Sequence, residues 1–318
     1  MRAAEGSPGA RILGLGHYRP ARVMTNADIE KLVDTSDEWI RSRVGVATRH
    51  VAADDESVVD MAVAAAGKAM AAAGVEAGEI DLVITATCTL EAALPGASAT
   101  VATRLGIPSP GAFDLNAACA GFCYGLSVAN DAIRGGSATR VLVIGSEKLS
   151  AWVDWTDRST CIIFGDGAGA AVVGPSETTG IGPVVWGSDG TKSSAIQITE
   201  RGGPIQMEGQ AVFRWATTLM GGAALEACRR AGVAPKDIKV VVPHQANLRI
   251  VDAIVRQLGA TDAVVARDIV DSGNTSAASV PLALSRLVET GEARTGDPAL
   301  VLAFGAGLTF AGQVIACP

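Results

Sequence analysis

Ala73-Gly-Val-Glu-Ala-Gly-Glu-Ile-Asp-Leu-Val83 is echoed later in the chain by Ala231-Gly-Val-Ala-Pro-Lys-Asp-Ile-Lys-Val-Val241. Each copy reads as a helix stopped at glycine, a short turn and a buried strand. The echo continues downstream. Residues 141–145 lead to Phe164-Gly-Asp-Gly-Ala-Gly-Ala-Ala-Val-Val, and 300–303 lead to Phe304-Gly-Ala-Gly-Leu-Thr-Phe-Ala-Gly-Gln-Val-Ile. Both are a strand, a glycine turn and another apolar strand. Ala-rich segments resemble one another by chance, but chance does not also repeat the order of the elements. The chain therefore reads as two similar halves that meet near 174–182, divided as 1–175 and 176–318.

Within each half, apolar runs of strand length alternate with Ala-rich runs of helix length, which is an α/β pattern. Strands are expected at 10–16, 82–87, 141–145, 168–173, 240–243, 300–304 and 310–316. Helices are expected at 58–73, 96–105, 118–134, 210–231, 246–258 and 277–289. Hydrophobic residues make up 48% of the 318 and aromatics only 4%. Small apolar side chains in that proportion suit helices laid closely on a largely parallel sheet.

Several function classes fall away. The net charge of −7 and the lack of a basic face argue against nucleic acid as a partner. No apolar run is long enough to span a membrane, and residues 1–10 lack the apolar core of a signal peptide. The six cysteines lie mostly in hydrophobic runs with no C-x-x-C pair, so a cytoplasmic protein with reduced thiols is expected. No ligand spacing points to a metal. Gly14-Leu-Gly lacks the third glycine of a dinucleotide fingerprint, and Gly165-Asp-Gly-Ala-Gly169 lies between strands, so no nucleotide cofactor is expected.

The repeat also places the chemistry. Cys119 falls just after Gly111-Ala-Phe-Asp-Leu115, where the helix 118–134 should begin. The same place in the second half holds Asp271-Ser-Gly-Asn-Thr-Ser-Ala-Ala-Ser279. Pseudo-symmetry would bring the two points face to face, with His244 ending the repeated strand beside them. A helix N-terminus favours a thiolate, so Cys119 is the candidate nucleophile. Cys123, one turn further in, reads as core. Cys88, Cys161, Cys228 and Cys317 read as core or surface thiols. His17 and His50 sit among Arg and Tyr neighbours and read as exposed. Asn274 follows a glycine, where asparagine is often only a turn residue; the symmetry is what singles it out. A neutral amide cannot act as a base but can donate to an oxygen gaining charge. Cys, His and Asn match a thiol protease in residue type. With the Asn on the loop opposite the Cys, however, His and Asn can both donate to a substrate oxygen. That suits an enolate attacking a thioester held on the Cys.

Ala117-Ala-Cys-Ala-Gly-Phe, Pro243-His-Gln-Ala-Asn-Leu-Arg-Ile and Gly273-Asn-Thr-Ser-Ala-Ala-Ser resemble the three active-site motifs of β-ketoacyl-acyl carrier protein synthase III. This family starts fatty-acid synthesis and belongs to the thiolase-like superfamily. Thr35-Ser-Asp-Glu-Trp-Ile, Asp157-Arg-Ser-Thr, Phe164-Gly-Asp-Gly-Ala-Gly-Ala and Phe304-Gly-Ala-Gly also match, so the resemblance spans nearly the whole chain. It implies a five-layered αβαβα fold and a homodimer. It implies that Cys119 takes an acyl group from acyl-CoA, and that His244 and Asn274 stabilise the enolate left when malonyl-acyl carrier protein loses CO2. Backbone N–H groups of Cys119 and Ala306 would hold the acyl oxygen, and no cofactor is needed beyond the two substrates. Trp39 and Arg158 would hold the CoA adenine, while Arg43, Gly209, Asn247 and Arg249 would line the pantetheine path. Arg214, Arg249 and Arg256 would dock the acidic carrier protein. For Arg214 and Arg256 a plain solvated helix face is the competing explanation.

Three departures bear on primer choice. Ala306 replaces the middle glycine of the closing motif. Leu94 stands where many relatives carry Phe; in the family this residue comes from the dimer partner and closes an acyl pocket that Phe164 also lines. Residues 187–208 look short. The same chemistry would prime a polyketide as readily as a fatty acid, and an acyl transfer to an alcohol or amine would use the same Cys119. A non-catalytic carrier-binding homologue is the reading from another class, which the presence of all three reactive residue types disfavours.

Overall fold

The protein was analysed as a computed structural model that describes residues 4–92, 94–200 and 202–318. Two five-stranded sheets form its frame. The first holds β1 (Gly9–Tyr18), β4 (Leu82–Ala86), β5 (Gly111–Leu115), β6 (Val141–Lys148) and β7 (Asp166–Ser176), in the order β1-β7-β6-β4-β5. The second holds β8 (Val185–Ser188), β11 (Val240–Pro243), β12 (Val264–Val265), β13 (Pro298–Gly305) and β14 (Thr309–Ala316), in the order β8-β14-β13-β11-β12. The two orders correspond strand for strand. So do the directions: β4 and β11 each run parallel to both neighbours, while the remaining pairs are antiparallel.

Helices complete five layers. On the outer face of the first sheet lie α3 (Val58–Ala73) and α4 (Ala97–Arg104), and on that of the second lie α6 (Gly209–Ala231) and α7 (Leu248–Leu258). Between the sheets run α5 (Gly121–Arg134) and α9 (Ser279–Glu289), whose Phe122, Leu126, Val280 and Leu284 share one core with Val143 of the first sheet and Val301 of the second. The spacing of apolar residues explains each placement. In α3, Met61, Ala62, Ala65, Ala66 and Ala69 recur at three- and four-residue steps and form its buried face. Ser57 caps that helix with Asp60 in a reciprocal box, and left-handed Gly74 ends it. Gly232 ends α6 in the same conformation. A side chain at either position would cost about 1 kcal/mol.

The remaining elements build a cap at one end. They are the hairpin of β2 (Arg22–Thr25) and β3 (Thr48–Val51), the short helices α1 (Asn26–Ile29), α2 (Asp37–Arg43) and α8 (Ile269–Ser272), and the small pair β9 (Ile196–Gln197) and β10 (Gln206–Met207). Ile29, Ile40, Val46 and Phe164 form the cap's own core.

Several expectations change, among them the helix from 277, which starts at Ser279 after a 3-10 turn over Ser276–Ala278. The Gly165–Gly169 glycines are not simply a turn, since β7 already begins at Asp166; Gly167 and Gly169 are there because α9 lies against the strand, and Gly165 because the Ser272 carbonyl comes close. A Cβ on Gly169 would stand 2.5 Å from the backbone N of Leu282. The helix expected from 118 starts at Gly121, after a 3-10 turn over Ala118–Ala120. The helix expected from 246 starts at Leu248, with Asn247 as its N-cap. His17 and His50 are half-buried rather than exposed. His17 sits at the end of β1 under α9, its Nδ1 3.0 Å from Ser285 Oγ, and His50 Nδ1 lies 2.6 Å from the Pro20 carbonyl.

Candidate active site

Each half carries the same polar turn ahead of its central helix. Asn116 Oδ1 accepts the Ala118 N–H at 3.1 Å, and Asn274 Oδ1 accepts the Ser276 N–H at 2.8 Å. Both turns pass into a short 3-10 segment, and the residue that opens it is left-handed without being glycine: Ala118 at φ 45° and Ser276 at φ 49°. Such backbone is strained, and it gathers at sites where a side chain must be aimed. Cys119 in one turn thus corresponds to Ala277 in the other, and the turns meet at the seam between the halves. Gly305 at the end of β13 makes the approach possible, because a Cβ there would stand 2.6 Å from the Cys119 backbone N.

A pocket of about 700 Å³ opens from this seam, and Cys119, His244, Asn274, Ala306 and Phe164 all line it. His244 follows β11 and is 1% exposed. Its Nδ1 lies 2.7 Å from Ser279 Oγ, and that oxygen already accepts the Gln245 N–H at 3.4 Å. With the Ser279 hydroxyl donating to Nδ1, the ring proton stands on Nε2. Phe304 packs edge-on against the imidazole at 5.2 Å. Asn274 is also buried. Its Oδ1 is committed to Ser276, so its NH2 group is the end left to donate.

Burial sets the protonation states. It pulls His244 down to about 3, so the ring is neutral at ordinary pH. Burial also pushes the Cys119 thiol up to about 12, against the opposing pull of the nearby Ser276 hydroxyl. Cys119 therefore rests as a thiol, where the sequence pointed to a thiolate at a helix start. Burial is the larger effect, and the helix proper begins only at Gly121, two residues later. The His244 state has a consequence for stability. Between pH 6.5 and about 3 the unfolded chain takes up a proton that the folded one refuses, so stability falls as pH drops through this window. Urea unfolding at pH 7 and pH 4 should show a loss on the order of 3 kcal/mol from this residue. His244→Gln should flatten that slope, and an unchanged slope would contradict a buried neutral imidazole.

Sequence reasoning missed four residues here. Cys88, taken as core or surface, lines the pocket with Cys119, because it follows the C-terminal end of β4 as Ala246 follows β11. Ser276, Ser279 and Glu147 complete the polar surroundings. Comparing the two turns residue by residue would have flagged Ser276, the counterpart of Ala118. Cys123 is fully buried.

Trp39, Arg43, Arg158, Gly209, Arg214, Asn247 and Arg249 line the outer part of the same pocket. Arg158 lies over the Trp39 ring at 5.0 Å, and Arg43 lies 5.6 Å from its centroid. A base stacked on the face that Arg158 covers requires Arg158 to lift away from Asp34, whose carbonyl it bonds at 3.0 Å. Asn247 caps α7 and reaches the Arg43 carbonyl at 3.1 Å, tying the cap to the second half. Arg249 covers Phe213 at 4.9 Å. Arg256 is exposed on the last turn of α7, away from the pocket lining. Leu94 is 86% exposed and does not line its own chain's pocket. Among the described residues, no group of three or more His, Cys, Asp and Glu side chains could hold a metal ion, and no helix is long and apolar enough to cross a membrane.

Comparison with known proteins gives the family. The family 3-oxoacyl-[acyl-carrier-protein (ACP)] synthase III matches residues 113–190, and its C-terminal region matches 228–317. β-Ketoacyl-[acyl-carrier-protein] synthase III 4 of Streptomyces coelicolor is 55% identical over 98% of this chain and 99% of its own. The synthase III 2 of Streptomyces avermitilis is 56% identical over the same shares. Among solved structures, the priming β-ketosynthase of a polyketide biosynthetic pathway superposes with a TM-score of 0.97 at 45% identity, covering 100% of this chain and 98% of that one. The 3-oxoacyl-[acyl-carrier-protein] synthase III of Aquifex aeolicus gives 0.94 at 41% identity, covering 97% and 100%. The five-layered frame is thus the thiolase-like fold, and by identity along nearly its entire length the chain belongs to the 3-oxoacyl-[acyl-carrier-protein] synthase III family.

Proposed function

We propose that this chain joins an acyl group from acyl-CoA to malonyl-acyl carrier protein, with loss of CO2, to give 3-oxoacyl-acyl carrier protein. The observation that carries this is the meeting of the Cys119 thiol and two neutral hydrogen-bond donors, His244 and Asn274, in one pocket. Cys119 takes the acyl group as a thioester, which keeps it activated until a carbon nucleophile arrives. Loss of CO2 from the malonyl group leaves an enolate. His244 and Asn274 donate to its oxygen, and because both donors are neutral they stabilise the charge without protonating the carbanion. The carbanion attacks the acyl group, whose own oxygen is held by the N–H groups of Cys119 and Ala306. No cofactor enters this sequence.

The outer pocket suits the rest of the substrates. Trp39 and Arg158 supply a ring face and a planar cation for the adenine. Arg43, Gly209, Asn247 and Arg249 border the pantetheine path. Arg214, Arg249 and Arg256 offer local positive charge to an acidic carrier protein on a chain whose total is −7. The active form is a homodimer. β5 is the open edge of the first sheet, with Phe113 exposed on it, and such an edge invites pairing with a second copy. A leucine as exposed as Leu94 is then available to the partner's acyl pocket. Six free thiols fit a cytoplasmic location.

The curated relatives at 55% and 56% identity favour fatty-acid initiation. The fit to a polyketide-priming ketosynthase supports a second reading with the same chemistry and a different primer. A panel of acyl-CoAs offered with malonyl-acyl carrier protein tests both. One CO2 should be released for each 3-oxoacyl product, by a species sedimenting as a dimer, and the fastest primer names the pathway. No product from any acyl-CoA would end the proposal.

A further inference from the structure

Beside Cys119 stands a buried carboxylate that the scheme above leaves unused. Glu147, on β6, is 0% exposed. Its oxygens accept from Thr89 Oγ1 at 2.5 Å, Thr87 Oγ1 at 3.1 Å, the Cys88 N–H at 3.1 Å, Cys88 Sγ at 3.3 Å and Ser276 Oγ at 2.9 Å. The Ser276 hydroxyl, donating to Glu147, keeps its lone pairs for a donor on its other side, and its turn packs against the turn of Cys119, both lining one pocket. Cys88 Sγ is 3.7 Å from the same hydroxyl.

We propose that Ser276 and Glu147 form the path by which Cys119 loses its proton when it attacks acyl-CoA. This rests on the assignment of Cys119 as nucleophile. The attack needs a proton acceptor, and His244 is a poor one, held at about 3 by burial. Burial works the other way on Glu147, raising its affinity for a proton above that of an ordinary carboxylate. A charged Glu147 opposes a second negative charge on Cys119. Passing the proton through Ser276 removes that conflict: one negative charge moves from Glu147 to Cys119, and the total stays the same. The titratable groups around the path are Cys88, which donates to Glu147, and His244, which lines the pocket with Cys119.

The step balances. The Cys119 S–H bond breaks as the proton joins Ser276 Oγ, and the Ser276 proton joins Glu147 Oε1. Cys119 sulfur bonds to the acyl carbon, and the bond from that carbon to the CoA sulfur breaks. The CoA thiolate takes the proton back along the same path and leaves as the free thiol. Glu147 acts through Ser276, which lines the pocket together with Cys119.

The pH dependence of acylation tests this. With the relay, log kcat/KM for acyl transfer from acyl-CoA to Cys119 is flat between pH 7 and pH 9, because the acceptor is internal. In Glu147→Gln and in Ser276→Ala, acylation at pH 7 should fall about 100-fold. The rate should then rise about tenfold per pH unit, as the thiol gives its proton to solvent instead. Decarboxylation of malonyl-acyl carrier protein should stay within a few-fold of wild type in both. Ser276→Ala leaves the other donors to Glu147 in place, so it guards against a folding defect in Glu147→Gln. A tenfold-per-unit slope in the wild type, or variants that keep the flat profile at any rate, would overturn the relay while leaving Cys119 as nucleophile. An acyl label on Cys88 instead of Cys119 would overturn both.

Discussion

A Cys119→Ala protein is expected to take up no acyl group from acyl-CoA and to lose condensation by roughly 10⁴-fold or more. The reason is geometric as well as chemical. The second half offers Ala277 at the equivalent turn position, so the symmetry supplies no substitute thiol. Cys123 is sealed in the core, and Cys88 is held by Glu147 as a hydrogen-bond donor with its proton kept on by burial. His244 and Asn274 are untouched by the change, so the variant should still release CO2 from malonyl-acyl carrier protein. Intact-protein mass after incubation with acyl-CoA reads the first result and a CO2 assay the second. Accumulation of acyl-enzyme in the variant would remove Cys119 from its assigned role.

The second large effect concerns the donors. His244→Ala and Asn274→Ala should each lower decarboxylation of malonyl-acyl carrier protein by about 10² to 10³-fold, the usual cost of one donor to a developing oxyanion. Both variants should still form the Cys119 thioester, because neither side chain is needed to take its proton. Asn274→Asp should fare no better than Asn274→Ala, since a carboxylate at this position faces the enolate with like charge. Full decarboxylation by Asn274→Asp would contradict a neutral donor there. Loss of acylation in His244→Ala would instead make His244 the base, at odds with its buried, depressed state.

The frame was legible because the features that define it are local. Gly74 and Gly232 mark helix ends by conformation, and the apolar spacing of α3 marks its buried face. Cys119 and Asn274 were legible because the repeat put them in corresponding turns. Glu147 was not. Its bond to Ser276 joins residues 129 apart in sequence, and nothing around β6 distinguishes it from a surface carboxylate ending a strand. Ser279 was hidden for the same reason: its role comes from a contact with His244, 35 residues away. The protonation of Cys119 was misjudged because proximity to a helix start was visible in the sequence and burial was not. The exposure of Leu94 and the open edge of β5 also became apparent only once the strand order was known.

The most direct measurement is a single-turnover experiment with one equivalent of acyl-CoA, quenched in time and mapped by peptide mass. The expected result is one acyl group per chain, on the peptide that carries Cys119, formed at least as fast as steady-state turnover and discharged when malonyl-acyl carrier protein is added. A label on any other residue, or one that malonyl-acyl carrier protein fails to remove, would contradict the assignment of this pocket as a condensing site.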